Sequence, residues 1–400
     1  MPRVNLKGLR ARSGIPAFSV LPVLLLAAGH TAQAQTETIL YNFTCQTDGC
    51  PPQAGVAVDE KENLYGTISS GGAFGFGAVF ELTASGTFTT LYSFTGGTDG
   101  GFPQAGVVLD SKGNLYGTTS GGGAANLGTI FKVTASGTET VLHSFTCGVE
   151  PCEPRRGVVL DSKGNLHGTA YPGGSFSFGS VFELTSSGTF TTLYSFKGGV
   201  DGNVPNQGIV LDKSGNIYGT TNYGGASNFG TVFEVTPSGK ETVLHTFTPN
   251  GKDGFYPAAG VILDSKDNLY GTTASGGTIG VGTVFKVTAS GSETILHSFS
   301  GGKDGITPEA SMVLDKKDNL YGTTAYGGAF DLGTVFELTS YGTETTLHSF
   351  ADNGTDGYFP FQADLAIDKS GNLYGIAVEG GQRSSPYCTN GCGVIFRIVP

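Results

Sequence analysis

The 400 residues include no tryptophan and only two methionines, and Asp, Glu, Lys and Arg together make up 14% of the chain. Without tryptophan there is no indole platform for stacking on sugar rings, so Tyr and Phe are left for that role. Beyond the first 35 residues no segment keeps a helical period of apolar residues. That excludes motifs that need a helix: the phosphate cradle at a helix N-terminus, the H-E-x-x-H zinc pair and the G-x-S-x-G elbow. No later apolar run is long enough to cross a membrane as a helix. Cys-x-x-Cys pairs with histidine partners, the usual structural zinc pattern, are missing too. Basic residues are scarce, 22 Lys and Arg against 33 Asp and Glu.

What the chain has in abundance is glycine, 66 residues, and one sentence written seven times. Its marker, Asn-(Leu/Ile)-(Tyr/His)-Gly, starts at Asn63, Asn114, Asn165, Asn216, Asn268, Asn319 and Asn372, in steps of 51, 51, 51, 52, 51 and 53 residues. A fixed period of this size marks a repeat architecture. A residue present in every unit is then a scaffold residue, and departures from the pattern are the places to look for a unique site.

The second unit contains four short runs of β-forming residues, roughly 105–109, 114–119, 128–134 and 138–145, separated by Asp-Ser-Lys-Gly, a Gly/Ala/Asn stretch and Ala-Ser-Gly. Apolar β-formers bounded by turn residues predict strands, and four strands in about 40–50 residues predict a β-propeller blade. We call the strands A to D from the channel outward. The A–B–C pattern occurs seven times, ending at Ile398; the D pattern also occurs seven times, but its first copy, 37–43, precedes the first A strand. The expectation is an all-β, seven-bladed propeller of four-stranded blades, in which the N-terminal strand completes blade seven and removes an open edge. The Phe of Gly-Thr-(Val/Ile)-Phe and the Phe ending each D strand account for 14 of the 27 phenylalanines and are expected to fill the spaces between blades.

Arg3, Lys7, Arg10 and Arg12 precede an apolar run from Ile15 to Ala28 and then Ala32-Gln33-Ala34, the pattern of a secretory signal peptide. The expected organisation is a leader over 1–34 and a single propeller domain over 35–400, secreted or periplasmic, with no anchor. Cleavage leaves 18 Lys and Arg against 33 Asp and Glu, formally −15, which argues against nucleic acid and anionic membranes as partners. The six cysteines fall into local pairs, Cys45/Cys50, Cys147/Cys152 and Cys388/Cys392, which in an exported chain read as disulfides. Cross-pairing between the first and third pairs is the alternative.

In a propeller the D-to-A and B-to-C loops share one end of the ring. The D-to-A loops carry an acidic residue and, four positions on, a proline. Asp48, Asp99, Asp201, Asp253, Asp304 and Asp356, with Glu150, would form an acidic ring; it could take Ca²⁺, or could simply be a set of Asp-Gly turns. The B-to-C loops carry Gly-Gly and aromatics, among them Tyr171, Tyr223, Tyr326 and Tyr387. Four histidines share a D-strand position with Tyr41, Tyr92 and Tyr194. His167 differs: it replaces the strand-B tyrosine of the other six units. Arg155-Arg156 in the same blade stand where blade two has Gln104-Ala105. Arg155, Arg156, His167, Tyr171, Tyr223 and Tyr326 are therefore the candidate ligand-binding residues, and no catalytic motif is found.

The repeat AGVVLDSKGNLYGTTSGGGAANLGTIFKVTASG followed by TETVLHSF resembles the GloVer tandem repeats of bacterial exported proteins over residues 37–400, and its D-x-x-G-N-(L/I)-Y piece is similar to NHL-type propeller repeats. The resemblance implies export and a propeller-type repeat fold, and carries no site residues to these positions. The expected function is a non-enzymatic, monomeric propeller that binds a glycan, peptide or extracellular protein through its loop-rich end. No cofactor is expected beyond a possible Ca²⁺. The alternative is a hydrolase or lyase acting on a polysaccharide or small ester at the channel mouth.

Overall fold

The computed structural model describes residues 37–46, 48–205, 208–383 and 388–400; the expected leader lies outside them. They form seven four-stranded antiparallel sheets, the blades of a β-propeller. Blade two is typical: Val108–Leu109, Leu115–Thr119, Thr129–Val133 and Glu139–Ser144 are its strands A to D. Strand A is shorter than the run 105–109 predicts. Residues 105–107 lie where the blades converge, outside their own ladder, and Ala105 bonds across to the neighbouring blade: Thr67 Oγ1 donates to its carbonyl at 2.7 Å.

The closing strand behaves as the repeat offset requires. Glu37–Asn42 pairs with Val394–Ile398, with Glu37 opposite Ile398 and Asn42 opposite Val394. The ladder even carries the same bulge as the other blades. Leu40 is the extra residue between Ile39 and Tyr41, as Leu91 is between Thr90 and Tyr92. A bulge of this kind bends and twists the outer strand.

The core is a set of phenylalanines between blades. Phe94, just after strand D of blade one, meets Phe131, from strand C of blade two, edge to face at 5.0 Å; Phe43 and Phe80 make the same contact across the closure at 6.0 Å. All fourteen are buried. Each fully buried side chain of this size contributes about 1.5–3 kcal/mol. The recurring glycine of Asn-Leu-Tyr-Gly follows from this packing. A Cβ on Gly117 would sit 2.6 Å from the Phe131 ring, and one on Gly271 2.4 Å from Phe285, so only hydrogen fits.

Candidate functional site

The two ends of the ring are built differently. At the turn end the same A–B turn recurs seven times. In blade five, Asp264 accepts N–H groups from Lys266 at 2.8 Å and Asn268 at 2.9 Å, the Asn268 side-chain amide at 2.8 Å and the Tyr270 hydroxyl at 3.0 Å. Burial opposes ionisation, yet these donors hold Asp264 below the usual carboxylate range, and likewise Asp110, Asp161 and Asp368 in their turns. His167 belongs here. It is buried, and its Nε2 faces Asp161 Oδ2 at 3.5 Å, the carboxylate that the tyrosine hydroxyl engages in other blades.

At the loop end each D-to-A loop pairs with the B-to-C loop of its own blade, as in Gly101 with Gly121, Asn203 with Tyr223 and Ile306 with Tyr326. The residue before proline reaches back to the preceding blade: Phe102, Val204 and Thr307 donate their N–H groups to Phe76, Phe178 and Val281 carbonyls at 2.7, 3.1 and 2.9 Å. These three sit at φ of 58, 57 and 57°, a left-handed conformation costly for side chains branched at Cβ. The backbone strain of the scaffold is thus concentrated where blades meet at this end.

The six cysteines fasten this end. Cys45 is bonded to Cys50, Cys147 to Cys152 and Cys388 to Cys392, the local pairing and not the cross-pairing. Cys50 and Cys152 are the members that reach across. The Cys50 N–H donates to the Ser70 carbonyl at 3.2 Å and the Cys152 N–H to the Pro172 carbonyl at 2.9 Å, so each ties its D-to-A loop to the B-to-C loop of the same blade. Cys152 is fully buried, and Cys50 is half-buried. Neither Cys50 nor Cys152 lines the mouth cavity described below, so both serve the loops and make no part of a ligand site there. Cys388 Sγ lies 2.7 Å from Cys45 Sγ, and two disulfides therefore touch where the ring closes.

The acidic ring is committed to local bonds. Asp48 Oδ2 accepts Thr44 N–H at 2.7 Å and Tyr41 O–H at 3.0 Å; Asp201 Oδ2 accepts Lys197 N–H at 2.9 Å and Tyr194 O–H at 2.8 Å. Asp99, Asp304 and Asp356 likewise take the N–H of Thr95, Ser300 and Ala351. Asp253 accepts Thr248 N–H at 2.9 Å. Each carboxylate thus closes its own loop and meets the D-strand Tyr or His at the outer seam between two blades. A third group completes each seam, the first residue of the next outer strand. It is Glu in five seams (Glu139, Glu241, Glu293, Glu344, Glu37) and Phe88 or Phe190 in two. Burial, and then the neighbouring Asp charge, pushes Glu139 and Glu241 up to about 7.

Arg155 and Arg156 lie at the channel mouth. A cavity of about 440 Å³ opens there, walled by Pro51, Gln53, Phe361, Val378 and Glu379 together with Arg155, and floored by Gln104, Arg156 and Gln362. The floor residues also line the central channel, a second cavity of about 280 Å³. They therefore separate the two spaces. Within the channel the innermost strands nearly touch. A Cβ on Gly106 would lie 2.8 Å from the Gly55 carbonyl oxygen, and one on Gly260 2.5 Å from that of Gly208.

Where five blades place glycine, four residues before the turn aspartate, blade six has Ser311 and blade seven Asp364. Ser311 N–H donates to Asp364 Oδ1 at 2.6 Å. Arg156 lies near Asp364 and Glu309. Burial weakens its hold on the proton while the two carboxylates oppose that, and burial raises Asp364 and Glu309 against the pull of Arg156. Blade seven also has an insertion. From loop acid to turn aspartate takes eleven residues in six blades but twelve from Asp356 to Asp368, and the extra residue after the proline is Phe361.

The six candidates do not converge. Arg155 and Arg156 line the mouth; His167 is at the other end of its blade, because strand B runs away from the A–B turn. Tyr171 is half-buried outside the cavity wall. Tyr223 packs on Tyr256 and Tyr326 on Phe359, at 5.4 and 5.3 Å, around the rim. Tyr387 lies outside the described residues. Asp364 and Glu309 are not among the sequence candidates, although counting back from each turn aspartate exposes them as departures from the repeat.

A model of the Gloeobacter/Verrucomicrobia repeat matches residues 29–228 and again 199–387. No curated protein matches the chain. Among solved structures it is similar to the extracellular domain of a putative one component system from B. thetaiotaomicron (12% identity, TM-score 0.56, 91% of this chain and 40% of that one). It is also similar to a putative 6-phosphogluconolactonase from Bacteroides uniformis (17% identity, TM-score 0.50, 78% and 88%), and to a gluconolactonase from Xanthomonas campestris (15% identity, TM-score 0.45, 92% and 90%). At these identities the likeness concerns the fold alone.

Proposed function

The chain belongs to the Gloeobacter/Verrucomicrobia repeat family, and from that premise we propose that it is an exported, non-enzymatic propeller that binds a glycan in the mouth of its channel. The observation that carries this reading is the wall chemistry of the mouth cavity. Phe361, the residue inserted in one blade only, stands beside the side-chain amides of Gln53, Gln104 and Gln362 and the guanidinium of Arg155. An apolar ring face with several amides around it matches what a sugar presents: C–H faces to stack and hydroxyls that both donate and accept. The volume of about 440 Å³ falls in the range of small-ligand sites.

The distribution of acids favours binding over catalysis. Glycoside hydrolysis commonly uses two carboxyl groups flanking the scissile bond. Glu379 lines the mouth, but Asp364 faces the channel below the floor and Glu309 lines neither cavity. Export is supported by the leader pattern and by three disulfides, which persist in oxidising compartments.

A glycan array probed with the wild type and Phe361→Ala tests the reading, with reducing-sugar release measured on the same glycans. Binding that Phe361→Ala weakens, without turnover, is the expected result. Turnover abolished by Glu379→Gln would replace the binder with a hydrolase. Binding to peptides alone, or glycan binding indifferent to Phe361→Ala, would overturn the proposal.

A further inference from the structure

The seam between blades four and five differs from the other six. His245 lies near the end of the outer strand Glu241–Thr246, Asp253 lies in the loop that follows, and Glu293 begins the outer strand Glu293–Ser298 of the next blade. Their side chains each bring a possible ligand atom within 4.8 Å of the others. Three of those polar atoms, His245 Nε2, Asp253 Oδ1 and Glu293 Oε1, are buried without a hydrogen-bond partner. His245 Nε2 faces Asp253 Oδ2 at 3.5 Å, too long for a good hydrogen bond, and that oxygen already accepts Thr248 N–H. Asp253 is 6% exposed, so bulk water does not serve it.

The sister seams settle similar groups differently. Between blades five and six, Asp304 Oδ1 takes the Ser300 hydroxyl at 2.6 Å; at the closing seam, His348 Nε2 reaches Asp356 Oδ2 at 3.1 Å. Only the seam of blades four and five, among the described residues, leaves an imidazole nitrogen and two carboxylate oxygens orphaned together. Each buried polar atom without a partner costs about 1–3 kcal/mol.

We propose that His245, Asp253 and Glu293 bind a divalent transition-metal ion between blades four and five. One imidazole nitrogen and two carboxylate oxygens form a donor set suited to Zn²⁺, with water as the fourth ligand. At bonds of about 2.0–2.2 Å tetrahedral donors stand about 3.3–3.6 Å apart, so a pair at the 4.8 Å limit closes by about 1.2–1.5 Å on binding, within reach of side-chain rotation. The ion would satisfy all three orphaned atoms at once and offset the repulsion between the two carboxylates. Burial and the Asp253 charge raise the Glu293 carboxyl above its usual range, and a cation at this point would reverse that. The site lies on the outer seam, away from the channel mouth, so it ties two blades together and does not depend on the glycan reading.

The chain itself supplies the controls. Tyrosine stands in the His245 position at Tyr194, and phenylalanine in the Glu293 position at Phe190. His245→Tyr and Glu293→Phe therefore copy seams that already fold. Chelator-treated full-length protein is titrated with Zn²⁺ by calorimetry and followed by thermal melting. The expected result is one ion per chain and a raised Tm in the wild type and in His348→Tyr, with affinity weaker by roughly 10–100-fold in His245→Tyr and Glu293→Phe. Absence of Zn²⁺ binding by the wild type, binding unchanged in His245→Tyr, binding lost in His348→Tyr, or an equal effect of Ca²⁺ would each overturn the proposal.

Discussion

The turn end and the loop end of this ring are made from the same seven repeats, yet they carry different kinds of information. At the turn end every Asp–Asn pair makes one bonding pattern, and even the exceptional His167 addresses the same carboxylate as the tyrosines it replaces. At the loop end the scaffold bonds also repeat, but the residues lining the channel mouth change from blade to blade: Gln53, Gln104, Arg155 and Gln362 occupy one position of the repeat, where blade six has Glu309 outside the cavity wall. The difference teaches that a departure from the repeat matters only where its side chain faces open space. His167 departs and is absorbed by the turn, whereas Arg156, Asp364 and Phe361 depart at a cavity.

The contrast between ends presupposes a closed ring, so the largest effect should come from opening it. Deleting residues 36–43 strips blade seven of its outer strand and of Phe43; the expected result is aggregation on size exclusion and loss of the cooperative melt. A stable monomer would separate both ends from closure.

A paired substitution separates the ends from each other. Asp264→Ala orphans four donors and should lower stability by about 2–4 kcal/mol by denaturant unfolding, leaving ligand affinity unchanged. Gln104→Ala, at the mouth, should cost under about 1 kcal/mol and weaken glycan binding. If the two exchanged their effects, the division of labour would fail.

Protons sharpen the comparison. The folded-state pKa of Glu139 and Glu241 lies near 7, above the ordinary 4.5, so their contribution to stability is fully present below about pH 4.5 and is lost as pH rises through 7. The turn aspartates shift the other way, below 3.8; their contribution is present above that value and is lost as pH falls through their folded values. Melting curves should show a higher Tm at pH 5 than at pH 8 or pH 2.5, and Glu139→Gln with Glu241→Gln should flatten the alkaline limb alone. The smallest effect is expected from His167→Tyr, which restores the turn used by the other blades: stability within about 0.5–1 kcal/mol of the wild type and no change in binding. A large loss of binding would return His167 to the site.

Much of this was legible in the residues. The marker spacing reports blade number, and the displaced first D strand reports closure, because a period-two pattern with one strand out of place has few ways to bury its face. Spacing suggested the local cysteine pairs but left cross-pairing open until the structure joined them locally, and it gave no sign that Cys50 and Cys152 would anchor one loop to another. Arg155 and Arg156 were visible as breaks in a repeat. The grouping of those arginines with His167 was not sound, since sequence neighbours in one blade can point to its opposite ends. Asp364 and Glu309 were harder still: they sit in blades seven and six, more than 150 residues from Arg156, and only convergence of the inner strands makes them neighbours.

By itself, then, the sequence determined the blade, its strand order, its buried phenylalanines, the glycines beneath them and the strand that shuts the ring, because each follows from local patterning repeated seven times. The tertiary structure alone decided which departures meet. Closing seven inner strands around a narrow channel brings Arg156, Asp364 and Glu309 together, and packing adjacent outer strands leaves His245, Asp253 and Glu293 facing one another. Those neighbourhoods are set by ring geometry, which no single repeat encodes.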